Sequence, residues 1–255
     1  LWQMAGSLWA YYKNSHPQPH ARAAEAYSRL IAHATHEHDL LIAAAGAQDL
    51  VAREGFRFVF RTAEAFDKAA QRADHLRTRF GVRSQAENTD QLAQAEPALR
   101  VPLAGALHWL DSWAVSAPGA LVQRYAELSV APGGRVSTGD AASLQRKGAG
   151  WSVQTTEGRV EAQQAVLALG PWADGLIRTL GYRFPLFIKR GYHQHYQAPA
   201  PLHQPVLDAE RGYVLAPMQR GLRLTTGAEF APIDAPPTPV QLTKAEAMAR
   251  ELVDL

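Results

Sequence analysis

Two imidazoles, a phenol and two cations fall within seven positions in Lys189-Arg190-Gly191-Tyr192-His193-Gln194-His195. Side chains alternate along a strand, so His193 and His195 would share one face. That spacing suits a pair of metal ligands. No third ligand accompanies them, and histidines that pack or face solvent are the alternative, so no metal is expected. His33, His36 and His38 form a second group. On a helix, positions 33 and 36 share a face while 38 points elsewhere, which reads as a solvated helix face. Val166–Gly170 (VLALG) is a third feature. A glycine closing a buried strand lets backbone approach a ligand closely. Many buried strands end this way, so the run is informative only with its surroundings. No Ser-His-Asp arrangement and no P-loop can be argued from the sequence.

Composition limits what these groups could serve. The 255 residues carry 26 basic and 24 acidic side chains, a net charge of +2, and no basic block stands out. Nucleic acid is therefore not an expected partner. With no cysteine, disulfides, thiolate metal sites and a cysteine nucleophile are excluded. That fits a reducing compartment, and a cytoplasmic location is expected. Peripheral association with the inner membrane is the alternative, because Trp2, Trp9, Tyr11 and Tyr12 suit either an amphipathic helix or an interfacial one. No apolar run reaches the length of a membrane span. The chain starts without Met and stops inside a helical pattern, and an internal piece of a longer chain is expected.

The elements that would position these residues are partly legible. Pro17 and Pro19 interrupt the opening pattern, and an Ala-rich helix is expected from about His20 to Ala45, ending near Gly46. Arg57–Arg61 (RFVFR) reads as a strand. Thr62 is the expected cap of a helix running to Phe80, closed by Gly81. Thr89 is expected to cap a short helix. Leu103–Trp109 reads as a strand, followed by a helix through Leu128. Gly134–Thr138, Trp151–Thr155 and Arg159–Leu169 read as strands joined by KGAG and TEGR turns. The third ends in the VLALG run, which suits a strand buried on both faces. A short helix fits Trp172–Leu180, residues 184–230 alternate strands and turns, and Thr243 is the expected cap of a last helix. The order is that of an α+β or interleaved α/β fold.

The passage from Gly134 to Trp172, with GGRVSTG and VLALGPW, resembles one found in flavoproteins with two dinucleotide-binding domains. FRFVFRTAEAFDKA, LAQAEPALRVPLAGALHWLDSWAVSAPGALVQRYAEL, FPLFIKRGYHQHY and GYVLAPMQRGLRLTTGAEF resemble further passages of the same family, in the family's order, from about Phe56 to Phe230. The family is the D-amino acid oxidase superfamily of FAD-dependent oxidoreductases, and the similar branch is that of D-amino acid dehydrogenase and glycine oxidase. The sequence departs from the family pattern twice. It contains neither the G-x-G-x-x-G that presents a helix N-terminus to the pyrophosphate nor the C-terminal G-L-R-P-x-x-x-D-G segment.

The resemblance implies a mixed α/β architecture of two interleaved domains. An incomplete Rossmann-like FAD-binding part with a β-meander would span 113–180. A substrate domain with a mixed or antiparallel sheet and helices would take 1–112 and 181–255. It implies FAD as cofactor, with Val136 meeting the adenine and Ala168, Leu169, Gly170 and Trp172 at the strand end beside it. It places Tyr213 at the substrate carboxylate and Arg223 at or near the flavin, where a fixed cation stabilises the reduced, anionic ring. Tyr192, His193 and Asp111 would lie by the substrate. The implied reaction is oxidation of a D-amino acid or glycine-like amine to an imine, hydrolysed to a keto acid and ammonia, with electrons passed to a quinone pool or to oxygen. A secondary amine such as sarcosine or proline is the alternative substrate, and a non-catalytic scaffold is the alternative role.

Overall fold

In the computed structural model, which describes residues 5–184, 186 and 188–255, the chain opens with three helices: α1 (Ala5–Asn14), α2 (Pro17–Ile31) and α3 (Ala34–Ala44). There follow β1 (Val51–Ala52), β2 (Phe56–Phe60), α4 (Ala63–Phe80), β3 (Ser84–Asn88) and α5 (Thr89–Ala95). Next come β4 (Gly105–Trp109), β5 (Ala114–Val115), α6 (Pro118–Val130), and the meander β6 (Gly139–Lys147), β7 (Gly150–Thr155) and β8 (Gly158–Ala162). The chain continues with α7 (Ala173–Thr179), β9 (Lys189–Tyr196), β10 (Val206–Asp208), β11 (Tyr213–Met218), β12 (Gly221–Phe230) and α8 (Val240–Leu252). Trp2, and Pro185 and Phe187 of the FPLFIKR run, lie outside the described residues. No helix among the described residues is long and apolar enough to cross a membrane.

The chain divides into two compact units, each built from two stretches. One comprises residues up to Ala24 with Ala126–Ile188, and the other Glu25–Tyr125 with Lys189–Leu255. The second unit is organised on a seven-stranded sheet in the order β3-β4-β2-β10-β11-β12-β9. Only the β2–β10 pairing is parallel. Alternation divides its side chains. Val59, Val206, Tyr213, Leu215, Leu222 and Leu224 are buried on one face, where Ala245, Ala249 and Leu252 of α8 and Leu92 of α5 complete the core. On the other face, α4 seats Ala65, Phe66, Ala69 and Ala73 against Phe58, Phe60, Leu107 and Trp109.

Local chemistry fixes α4 where the sequence predicts it. Thr62 accepts the Ala65 N–H at 3.3 Å, and Gly81, at φ 70°, closes the helix with its N–H on Arg77 O. A left-handed φ of that size is cheap only for glycine. Glu210 also holds this end, accepting from the Thr62 N–H at 3.0 Å and the Thr62 hydroxyl at 2.9 Å.

Several expectations shift by small physical margins. The single helix expected from His20 to Ala45 is two, because Ala32 and His33 separate α2 from α3, and Pro17 and Pro19 lie inside the first turn of α2. Proline suits that turn, where its missing N–H is not needed. Asn88, one residue before Thr89, caps α5 through a capping box with Gln91. Pro239 precedes α8, and Thr243 sits within it. In the meander, the KGAG and TEGR turns join the expected partners, but the first strand starts at Gly139 and runs to Lys147. Gly134–Thr138 is not laddered, and the third strand ends at Ala162, leaving Val166 91 % exposed. A strand exists only where a neighbour offers its backbone groups, and β8 pairs with β7 alone.

One polar cluster lies inside the sheet unit. Arg57 Nε donates to Glu87 Oε2 at 2.8 Å, and its Nη1 to Glu96 Oε1 at 2.9 Å and Gln204 Oε1 at 2.6 Å. Glu96, with no solvent exposure, also accepts the His203 and Gln204 N–H groups at 2.8 and 3.0 Å. Burial pushes its carboxyl above the usual range, against the pull of those N–H groups and Arg57. The cluster ties β2, β3, the end of α5 and the loop before β10 to one guanidinium.

Candidate active site on the half-exposed sheet face

Arg223 sits near the start of β12, directly opposite Ala216 of β11 and His195 of β9. Two residues on, Thr225 stands opposite Val214 and His193. Leu222 and Leu224, which flank Arg223, are buried in the core under α8, so alternation turns Arg223 to the other, half-exposed face. Arg223, Thr225, His193 and His195 therefore share one surface. The two imidazoles meet edge to face, with centroids 5.8 Å apart.

The electrostatics of this surface are one-signed. Partial desolvation, the Arg223 charge and the neighbouring ring hold His193 below the ordinary imidazole value of 6.5. Desolvation, Arg220 and Arg223 do the same for His195. Arg223 Nε is shielded from solvent and meets no hydrogen-bond acceptor among the described residues. A shielded donor without an acceptor is rare and costs on the order of 1–3 kcal/mol. The arrangement is matched by an anion with oxygen acceptors, which would satisfy the guanidinium and take up the local positive potential.

The other residues singled out in the sequence lie elsewhere. Tyr213 is 1 % exposed and belongs to the core on the α8 face. Its hydroxyl donates to Met248 O at 3.3 Å, and burial and the neighbouring Asp208 push its ionisation far up. Arg61 pairs with that same Asp208 at 2.8 Å. Tyr192 also faces away from Arg223. Its hydroxyl donates to Glu229 and accepts from Arg190 at 3.2 Å and from the Thr238 N–H at 3.1 Å, so it anchors the segment leading to α8. Asp111 follows β4 and is bound by Arg83 Nε at 2.9 Å, which holds its carboxyl below the usual range. Thr225 and Ala216 were not singled out. The β11–β12 register brings Ala216 beside Arg223, and for Thr225 the i, i+2 relation to Arg223 on one strand was the available signal.

Among the flavin candidates, the structure brings Leu169 and Trp172 together. They line an apolar cleft of about 520 Å³ with Ala141, Ala142 and Leu176. Trp172 is 67 % exposed and Val136 64 % exposed. Gly170 has φ 55°, and a Cβ there would meet nothing within 4 Å. Val136 and Ala168 lie in stretches without ladder partners. An apolar cleft and backbone free to donate and accept fit a large cofactor with a flat ring.

Comparison with known proteins assigns the family. The sequence matches the FAD dependent oxidoreductase (DAO) family over residues 3–254. It is 27 % identical over 202 residues to a D-amino-acid oxidase of Bradyrhizobium diazoefficiens, covering 78 % of this chain and 48 % of that protein. It is 29 % identical over 219 residues to a D-amino acid dehydrogenase of Cereibacter sphaeroides, covering 80 % of this chain and 47 % of that one. The chain thus spans about half the length of these relatives. Its fold matches the crystal structure of glycine oxidase from Geobacillus kaustophilus with a TM-score of 0.69 at 22 % identity, over 94 % of this chain and 64 % of that one. The mixed α/β architecture and the passages read in the sequence have one source: the chain belongs to the FAD dependent oxidoreductase family.

Proposed function

We propose that the protein oxidises the carbon–nitrogen bond of a D-amino acid or glycine-like amine, and that Arg223 holds the substrate carboxylate on the half-exposed sheet face. The carrying observation is the shielded, acceptor-free Nε of Arg223. His195 stands opposite it and His193 opposite Thr225, and both imidazoles are held below their ordinary value. FAD supplies the redox chemistry when bound, accepting a hydride equivalent from the α-carbon. The sheet fixes the carboxylate and thereby the direction of the carbon that reacts. The imine product takes up water and gives a keto acid and ammonia. Leu169, Gly170 and Trp172 are the residues we assign to the cofactor. The test is spectroscopic. The purified, flavin-loaded protein should bleach on anaerobic addition of D-alanine or glycine, and the rates of recolouring by oxygen and by a soluble quinone identify the acceptor. A panel with sarcosine and proline separates primary from secondary amines. A flavin that bleaches with none of these would overturn the proposal.

The histidines add a pH dependence of known sign. Their pKa values lie below 6.5 in the folded protein, so the unfolded chain binds more protons in the window just below 6.5. Their contribution to stability is therefore present above that value and lost as pH falls through the window to the folded pKa values. A bound carboxylate favours the protonated rings, so its affinity should rise over the same range and be flat above it. Titrating the protein with propionate between pH 5 and 8 checks this. His193→Gln should flatten the rise, and an affinity indifferent to pH in the unsubstituted protein would exclude the histidines from the anion site.

A further inference from the structure

A cavity of about 550 Å³ lies between the C-terminal half of α4 and the face of β2 and β4 that it covers. Its volume is that of a small-molecule site. Its walls are aromatic. Phe56 meets Phe58 edge-on, with centroids 5.1 Å apart, and Phe58 meets Trp109 likewise at 5.7 Å. Rings so arranged offer both edges and faces to a third ring. Two polar features give the cavity a chemical preference. Trp109 Nε1 is shielded from solvent and has no acceptor among the described residues. Indole N–H is a donor only, so a ligand must bring an acceptor oxygen. Two guanidiniums also line the cavity, from Arg72 and Arg83. Arg83 is neutralised by Asp111, while no carboxylate pairs with Arg72 among the described residues, so the uncompensated charge is positive.

We propose that this cavity is a second ligand site, which takes a small aromatic carboxylate. The ring stacks among Phe56, Phe58 and Trp109, an oxygen accepts the Trp109 N–H, and the negative charge lies towards Arg72. The site is separate from the surface around Arg223, although both lie on the sheet face opposite α8. β2 and β12 stand three strand spacings apart in the sheet, which is roughly 14 Å. The inference does not depend on the redox reaction and is tested without it.

The probe is indole-3-acetate, titrated calorimetrically into the purified protein, with indole as the uncharged control. We expect saturable binding of one equivalent, and indole weaker by about tenfold. Trp109→Phe and Arg72→Gln should each weaken binding by about 5–10-fold. Ala69, at the cavity wall, provides a filling variant: Ala69→Phe should abolish binding while the protein still melts cooperatively. Arg72 is exposed, so Arg72→Gln tests the site even if the filled variant does not fold. Arg223→Gln should leave the affinity unchanged. Absence of saturable binding, binding that survives in a folded Ala69→Phe, or binding lost in Arg223→Gln would each overturn the proposal, the last by placing the acid at Arg223.

Discussion

Replacing Arg57 by leucine should lower stability by about 3–5 kcal/mol, the usual effect of removing one partner from a buried ion pair. For a protein of this size that is a fall in Tm of roughly 6–20 °C. The loss comes less from the missing attraction than from what stays behind. Glu87 and Glu96 are 5 % and 0 % exposed, and without the guanidinium Glu96 is buried with no compensating cation while Glu87 keeps only the His108 imidazole, 3.5 Å away. Glu96 is already pushed up by burial, with Arg57 among the groups opposing the shift. Removing Arg57 therefore raises its folded pKa further. Between the unfolded value and that raised value the folded state binds more protons than the unfolded chain, so the variant's stability falls as pH rises through the window. The deficit should be larger at pH 8 than at pH 5, as thermal melts at the two values would show. A combined Arg57→Met, Glu87→Leu, Glu96→Gln variant should recover most of the loss. It removes the stranded charges and keeps an acceptor for the His203 and Gln204 N–H groups. A single variant that melts like the unsubstituted protein would show that the cluster contributes nothing net.

The cluster also marks where sequence reasoning reaches its limit. RFVFR was legible as a strand because its aromatic and branched side chains suit a pleated surface, and Thr62 and Gly81 are local signals for the ends of α4. Nothing local says that Arg57 lies inside the protein. Its carboxylates come from positions 87 and 96 and its amide from 204, brought together only by the order of strands. β2 neighbours β10 in parallel, a pairing separated by about 150 residues. The same non-locality decided the candidate site. The alternation that puts His193 and His195 on one face is local and was read correctly. Which face that is depends on α8, whose apolar side covers Leu222 and Leu224 and with them Tyr213. The Val166–Gly170 run shows the converse. Its apolar composition suits a strand buried on both faces, but composition supplies no partner backbone.

Arg223→Gln should reduce kcat/KM for the amino-acid substrate by about 10²–10³-fold, the scale on which a charge-assisted bond to a carboxylate is lost from a partly desolvated site. How the loss divides between constants identifies what the cation does. If Arg223 binds the carboxylate throughout, the ground state loses as much as the transition state, so KM rises while kcat is nearly kept. If it acts on charge that appears only during reduction, kcat falls, KM stays and the flavin becomes harder to reduce. The proposed role predicts the first pattern. Two further measurements separate a lost anion site from a disturbed sheet. Arg223→Lys keeps the charge but not the planar fork, and should recover part of the affinity for propionate. An amine substrate without a carboxylate should be turned over equally by the variant and the unsubstituted protein, because the interaction removed has no counterpart on that molecule. An equal loss with both substrates would instead make Arg223 a support for β9 and β12, where it stands between His195 and Ala216, and the carboxylate would have to be held by other residues.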